Sequence, residues 1–92
     1  MKYRVVSTNK FKKDLKNAIR RRYKIELLDE VVTLLETDKP LPVRNKDHAL
    51  TGNWHGFREC HITPDWLLIY KIEKDILVLT LTRTGTHSDL GW

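Results

Sequence analysis

FRECHITPDWLLIYKIEKDILVLTLTRTGTH, residues 57–87, carries three apolar runs separated by two turn signals. The runs at 57–62, 66–73 and 76–84 are rich in Ile, Leu, Val, Tyr and Thr and read as strands. Pro64 favours a turn after the first, and Lys74-Asp75 joins the other two as an antiparallel hairpin. With strand 66–73 between them, strands 57–62 and 76–84 finish where 66–73 begins. His61, Asp65 with Trp66, Arg83 and His87 therefore converge at one end of the sheet by topology alone. Period two places Leu77, Leu79, Leu81 and then Arg83 in one row of the last strand. An arginine ending an apolar row needs a partner. Either the strand frays before it, or the row runs out into a site where an anion is expected.

The N-terminal half supplies the cover for such a sheet. KYRVV at 2–6 is a short strand, and STN at 7–9 offers a helix N-cap. Phe11, Leu15, Ala18 and Ile19 recur at helical spacing to about Arg22. A second helix spans 25–37, with Ile25, Leu28, Val31, Val32 and Leu35 buried and Leu27 and Leu34 widening that face. The short break between them makes an antiparallel helical hairpin. Residues 40–56, which include His48 and Trp54, read as a long loop. The expectation is one α+β domain over 1–92: an N-terminal strand and a helical hairpin packed on one face of a mainly antiparallel sheet, the other face left open.

Charge separates the chain into two parts. Eight basic residues (Lys10, Lys12, Lys13, Lys16, Arg20, Arg21, Arg22 and Lys24) lie in a fifteen-residue segment with one acid, Asp14. The remainder holds nine basic and eleven acidic residues, so the whole excess behind the net charge of +5 sits on that segment. A solvated helix face is one reading. A one-signed stripe also matches the footprint of a phosphate backbone or of an anionic protein partner. No apolar run approaches membrane-spanning length and the N-terminus has no apolar core of a signal peptide, so the expected location is cytoplasmic.

The chemistry-bearing residues point to proton transfer. His48, His55, His61 and His87 have no HxxxH or HExxH spacing, so neither a metal nor another cofactor is expected. Cys60 has no disulfide partner and reads as a small core residue. RNA carries its own nucleophile, the 2′-hydroxyl, and a ribonuclease without metal needs a base, an acid and a cation for the phosphorane. Histidines titrate near neutrality and suit either proton role, and Arg83 offers a bidentate fork to phosphate.

The combination of DHALTG at 47–52, PDWLLIYK at 64–71 and RTGTH at 83–87 resembles the YafQ branch of the RelE/ParE superfamily of type II toxins, over essentially the whole chain. That resemblance implies a RelE-like fold and a ribosome-dependent mRNA interferase, cleaving in the A site to leave a 2′,3′-cyclic phosphate. It implies catalytic roles for His48, His61, Asp65, Arg83 and His87, with acid and base unassigned, and substrate binding by Trp66. The family has a functional aromatic at the position of Gly91, and Trp92 beside it is the expected substitute. His55 stands where relatives tend to carry a lysine and is left out of the site. The basic segment would dock ribosomal RNA. An antitoxin with an acidic segment would neutralise the protein, and operator DNA would be met only through that complex. A non-catalytic RNA- or antitoxin-binding member, or a ParE-like gyrase-directed toxin, is the alternative.

Overall fold

The computed structural model describes residues 3–91. β1 (Arg4–Ser7) ends at Thr8, whose side-chain oxygen accepts the Phe11 N–H at 3.0 Å and starts α1 (Asn9–Arg20). The same hydroxyl donates to the carbonyl of Thr82 at 2.7 Å and so ties the helix start to a distant strand. α1 stops at Arg20, two residues short of the expected end, because Arg22 turns left-handed with φ 61°. α2 (Ile25–Glu36) follows directly.

Five strands form one sheet in the order β1-β5-β4-β3-β2. These are β2 (His48–Ala49), β3 (Arg58–Thr63), β4 (Trp66–Glu73) and β5 (Val78–Gly85) beside β1. Only the β1–β5 pair is parallel. α1 lies over β5 and α2 over β3. Phe11, Ala18, Leu28, Val31 and Leu35 close on Cys60, Leu68, Tyr70, Leu79 and Leu81 as the core. The expected α+β architecture is the one observed.

Several local expectations need correction. Ile19 is 55% exposed, since Phe11, Leu15 and Ala18 already fill the contact with the sheet. Ile76 and Leu77 are exposed and precede β5, and Leu77 has φ 54°, so the row of leucines begins at Leu79. A bulge then breaks that row: Tyr70 pairs with Leu81 but Ile69 pairs with Arg83, leaving Thr82 as the extra residue. The face away from the helices is not open at its centre, because Leu67 and Ile69 are fully buried there. A one-turn helix, α3 (His87–Leu90), closes the described chain. Trp92 lies outside the described residues.

The segment expected as a long loop is firmly anchored. It holds a 3-10 turn at Val43–Asn45 and the short strand β2. Buried Asn45 donates its side-chain amide to the His61 carbonyl at 2.7 Å. Asp47 accepts from the Tyr70 phenol in a short hydrogen bond and from Arg58 Nη2 at 3.2 Å. Burial, together with Asp47, pushes the Tyr70 phenol well above its ordinary value of 10, so it stays a donor. Tyr70→Phe should therefore cost about 0.5–1.5 kcal/mol, the usual net contribution of one hydrogen bond, since Asp47 keeps its bonds from Arg58. Amide hydrogen exchange should quicken around residues 45–49 while β4 and β5 stay protected. Unchanged protection at His48 would show that the segment is held by other contacts.

Candidate active site

β3 alternates its side chains between two environments. Cys60 and Ile62 enter the core, while Glu59 and His61 face the opposite side. Burial pushes the Cys60 thiol up to about 12, which makes it an inert core residue rather than a nucleophile. β2 pairs with β3 so that His48 sits directly opposite Glu59. The result is a row in which one buried carboxylate lies between two imidazoles. Glu59 Oε1 is 3.4 Å from His48 Nε2 and 3.8 Å from His61 Nε2, loose approaches rather than tight hydrogen bonds.

The orientation of both rings follows from their other nitrogens. His48 Nδ1 meets the Lys46 carbonyl at 2.7 Å, and His61 Nδ1 meets the Pro64 carbonyl at 3.3 Å. A carbonyl only accepts, so each Nδ1 donates. Each Nε2 is thereby turned toward the same carboxylate.

His87 continues the row from the end of β5. Its ring centroid is 5.9 Å from that of His61, and its Nδ1 donates to Asp65 Oδ1 at 2.9 Å. The hydrogen bond from His87 holds the Asp65 carboxyl below its usual range. With Nδ1 committed to the carboxylate, Nε2 is the nitrogen that can take or give a proton. His48, Glu59, His61, His87 and Asp65 thus form one continuous group at the sheet end. Glu59 was not anticipated. The signal was present in its spacing, an acid two residues before His61 and therefore on the same strand face.

RTGTH takes its shape from contacts with α1. Thr86 caps α3 by accepting the Asp89 N–H at 3.1 Å, and Asp89 accepts the Thr86 N–H at 3.0 Å. Gly85 is required by space: a Cβ there would meet the Asp89 Cβ at 2.8 Å. Its φ of +157° is also one that L side chains rarely adopt, so backbone and close approach both call for glycine here.

Three expected roles change. Arg83 already has an anion: its Nε and Nη2 donate to Asp14 at 2.7 and 3.1 Å, and the Thr84 N–H joins them at 3.1 Å. The partner demanded by the apolar row is thus a carboxylate of α1, and that edge of the fork is occupied. Trp66 is 3% exposed, donates to the Thr84 hydroxyl at 2.8 Å and packs 5.0 Å from Tyr23. It is a core ring and cannot stack on a base where it stands. Lys10, Lys12, Lys13, Lys16, Arg20, Arg22 and Lys24 are exposed as expected, but Arg21 forks onto Asp89 at 2.6 and 3.1 Å. Among the described residues, no three His, Cys, Asp or Glu side chains are placed to hold a metal ion together, and no helix is long and apolar enough to cross a membrane.

Residues 3–91 match the family described as bacterial toxin of type II toxin-antitoxin system, YafQ. The mRNA interferase toxin YafQ of Escherichia coli K12 is 42% identical over 84 residues, 90% of this chain and 89% of that protein. YafQ in the crystal structure of the E. coli DinJ-YafQ toxin-antitoxin complex is 38% identical, with a TM-score of 0.89 and 98% of each chain covered. A metal-bound toxin from Helicobacter pylori is 43% identical, with a TM-score of 0.90 over 98% of this chain and 99% of that one.

The electrostatics of this hook, the turn over 85–90 that carries His87, are open to direct measurement. Arg21 first, with the Thr86 N–H, holds the Asp89 carboxyl at about 2, against an ordinary 3.8. A depressed carboxylate stabilises above its unfolded value and loses that contribution as the pH falls through its folded one. The Asp89 pair should therefore be complete above about pH 4 and weaken only toward about pH 2. Carboxyl carbon titration by NMR should place Asp89 near 2. A midpoint at 3.8 would mean that the pair does not form in solution.

Proposed function

Since the chain belongs to the YafQ family of bacterial type II toxins, we propose that it is an endoribonuclease that cleaves mRNA in the ribosomal A site without a metal. The 2′-hydroxyl attacks the adjacent phosphate, the 5′-oxygen leaves, and a 2′,3′-cyclic phosphate remains. The observation that carries this reading is the Asp65–His87 hydrogen bond of 2.9 Å beside His61 and the His48–Glu59 pair. One carboxylate orients one imidazole, and a second imidazole group stands within the span of a phosphodiester. That supplies the base and the acid that 2′-hydroxyl attack requires.

His87 is the principal proton-transfer group in this reading, working through Nε2 while Asp65 fixes its tautomer. His48 and His61 with Glu59 supply the counterpart. Arg83 contributes positive charge from a fixed position: Asp14 takes its Nε and Nη2, so a phosphate would meet the remaining Nη1. The exposed cations of α1 dock ribosomal RNA. A cognate antitoxin neutralises the protein, as the DinJ-YafQ complex of the relative suggests, and operator DNA is contacted only through that assembly.

The histidine row lies on the sheet surface rather than in an enclosed cleft, with the His48 and His87 side chains 49% and 45% exposed. Alignment of a flexible strand must then come largely from the ribosome. Primer extension on programmed ribosomes should show discrete cleavage, while naked RNA at the same concentration should be cut far more slowly. Efficient cleavage of naked RNA would remove ribosome dependence from the proposal. His87→Ala should lower the single-turnover rate about 10²–10⁴-fold with binding retained. Rates agreeing within a factor of about three, far below what proton-transfer catalysis contributes, would remove His87 from the mechanism. The metal-bound relative makes a chelator arm necessary: EDTA-treated protein should keep its full rate, and loss restored by added metal would overturn metal independence.

A further inference from the structure

Arg21 belongs to the basic segment by sequence but not by contact. Its Nη1 and Nη2 donate to Asp89 Oδ2 and Oδ1 at 2.6 and 3.1 Å, a two-pronged grip across 68 residues of chain. Asp89 in turn accepts the Thr86 N–H and packs so closely on Gly85 that a Cβ there would meet its own at 2.8 Å. Thr86 and Gly85 are the two residues immediately before His87. α3 is a single turn of four residues, too short to hold its own geometry.

We propose that Arg21 is a positioning residue: by gripping Asp89 from α1 it sets the turn from which His87 meets Asp65. The proposal rests on the catalytic role of His87 argued above. The path runs from Arg21 through a fork of hydrogen bonds to Asp89, from Asp89 by a hydrogen bond and close packing to Thr86 and Gly85, along the backbone from Thr86 to His87, and by a hydrogen bond from His87 to Asp65. The pair itself is exposed, with side-chain accessibilities of 45% and 29%, so it contributes little to global stability. Its effect is therefore on where the imidazole stands, and a displacement of about 1 Å at a reacting group is enough to cost about 100-fold in rate.

The rival role for Arg21 is a docking charge, and the two make opposite predictions for Asp89. Asp89→Asn removes a negative charge beside the basic helix, which would tighten binding to RNA if only docking mattered. It also leaves one acceptor oxygen where three N–H groups now share two, which loosens the grip.

The test is single-turnover cleavage on programmed ribosomes as a function of protein concentration, for wild type, Arg21→Gln and Asp89→Asn. Imidazole nitrogen NMR of the isolated proteins is recorded beside it, with amide spectra to show that each variant is folded. The expected result is a saturated rate about 10- to 100-fold lower in both variants, together with loss of the His87 Nδ1–H signal of the Asp65 hydrogen bond. Arg21→Lys should fall between, since an ammonium cannot make the fork. A loss for Arg21→Gln confined to the half-saturating concentration would overturn the proposal. So would an Asp89→Asn variant that binds more tightly at an unchanged saturated rate. An altered His87 signal with unchanged rates would uphold the grip and instead remove His87 from the mechanism.

Discussion

β4 has five consecutive buried residues, Trp66 to Tyr70, and their register fixes what surrounds them. Trp66, Leu68 and Tyr70 face the helices, which leaves Leu67 and Ile69 to be covered from the other side without helical help. Their register partners are His61 and Gly85 for Leu67, and Glu59 and Arg83 for Ile69. The cover of the second face is thus drawn from the strands that carry the candidate site. A slip of one residue in either pairing would send every one of these side chains to the wrong face. Burial of two apolar residues and placement of a histidine-carboxylate row are one constraint rather than two.

That constraint does not by itself reach His87, which follows the last strand. The chain must turn after Thr84 and return, and the bulge at Thr82 begins the change by shifting the register before the strand ends. α1 then completes it from outside the sheet. Asp14 accepts from the Arg83 guanidinium and the Thr84 N–H, and Arg21, about two helical turns further along the chain, holds Asp89. The two pairs are reciprocal, an acid of the helix on a base of the strand and a base of the helix on an acid of the hook. The orientation is thereby fixed by charge sign as well as by shape.

The sheet, the two helices and the convergence of His61, Asp65 and His87 were legible because they follow from apolar periodicity and strand direction. Thr8 as an N-cap was legible for the same local reason. What escaped depends on contacts between distant segments. Asp14 and Arg83 are 69 residues apart, and nothing in either neighbourhood marks the other. The apolar row ending in Arg83 did announce an anion, but a carboxylate of the same chain satisfies it as fully as a phosphate would. Substrate binding by Trp66 was expected from the family resemblance alone; the alternation of β4 turns the ring inward instead. The anchoring of residues 43–49 was hidden because it rests on single polar atoms, the Asn45 amide and the Asp47 carboxylate, rather than on a pattern.

The pairing also explains why one acid is tolerated in an otherwise basic helix. An exposed aspartate in the middle of a docking stripe would oppose the phosphate backbone the stripe is there to meet. The Asp14 side chain is only 12% exposed and is neutralised by Arg83 at 2.7 Å, so little of its field reaches the surface. Arg21 is likewise cancelled by Asp89. Both pairs therefore drop out of the outward charge of α1 and the turn that follows it, and what remains is Lys10, Lys12, Lys13, Lys16, Arg20, Arg22 and Lys24, all exposed and all of one sign. α1 separates its two tasks by face: the inner polar edge shapes the hook that carries His87, and the outer edge keeps an undivided charge for a polyanion. A substitution on the outer edge then acts on association and its salt dependence, and one on the inner edge acts on the geometry of the reacting imidazole.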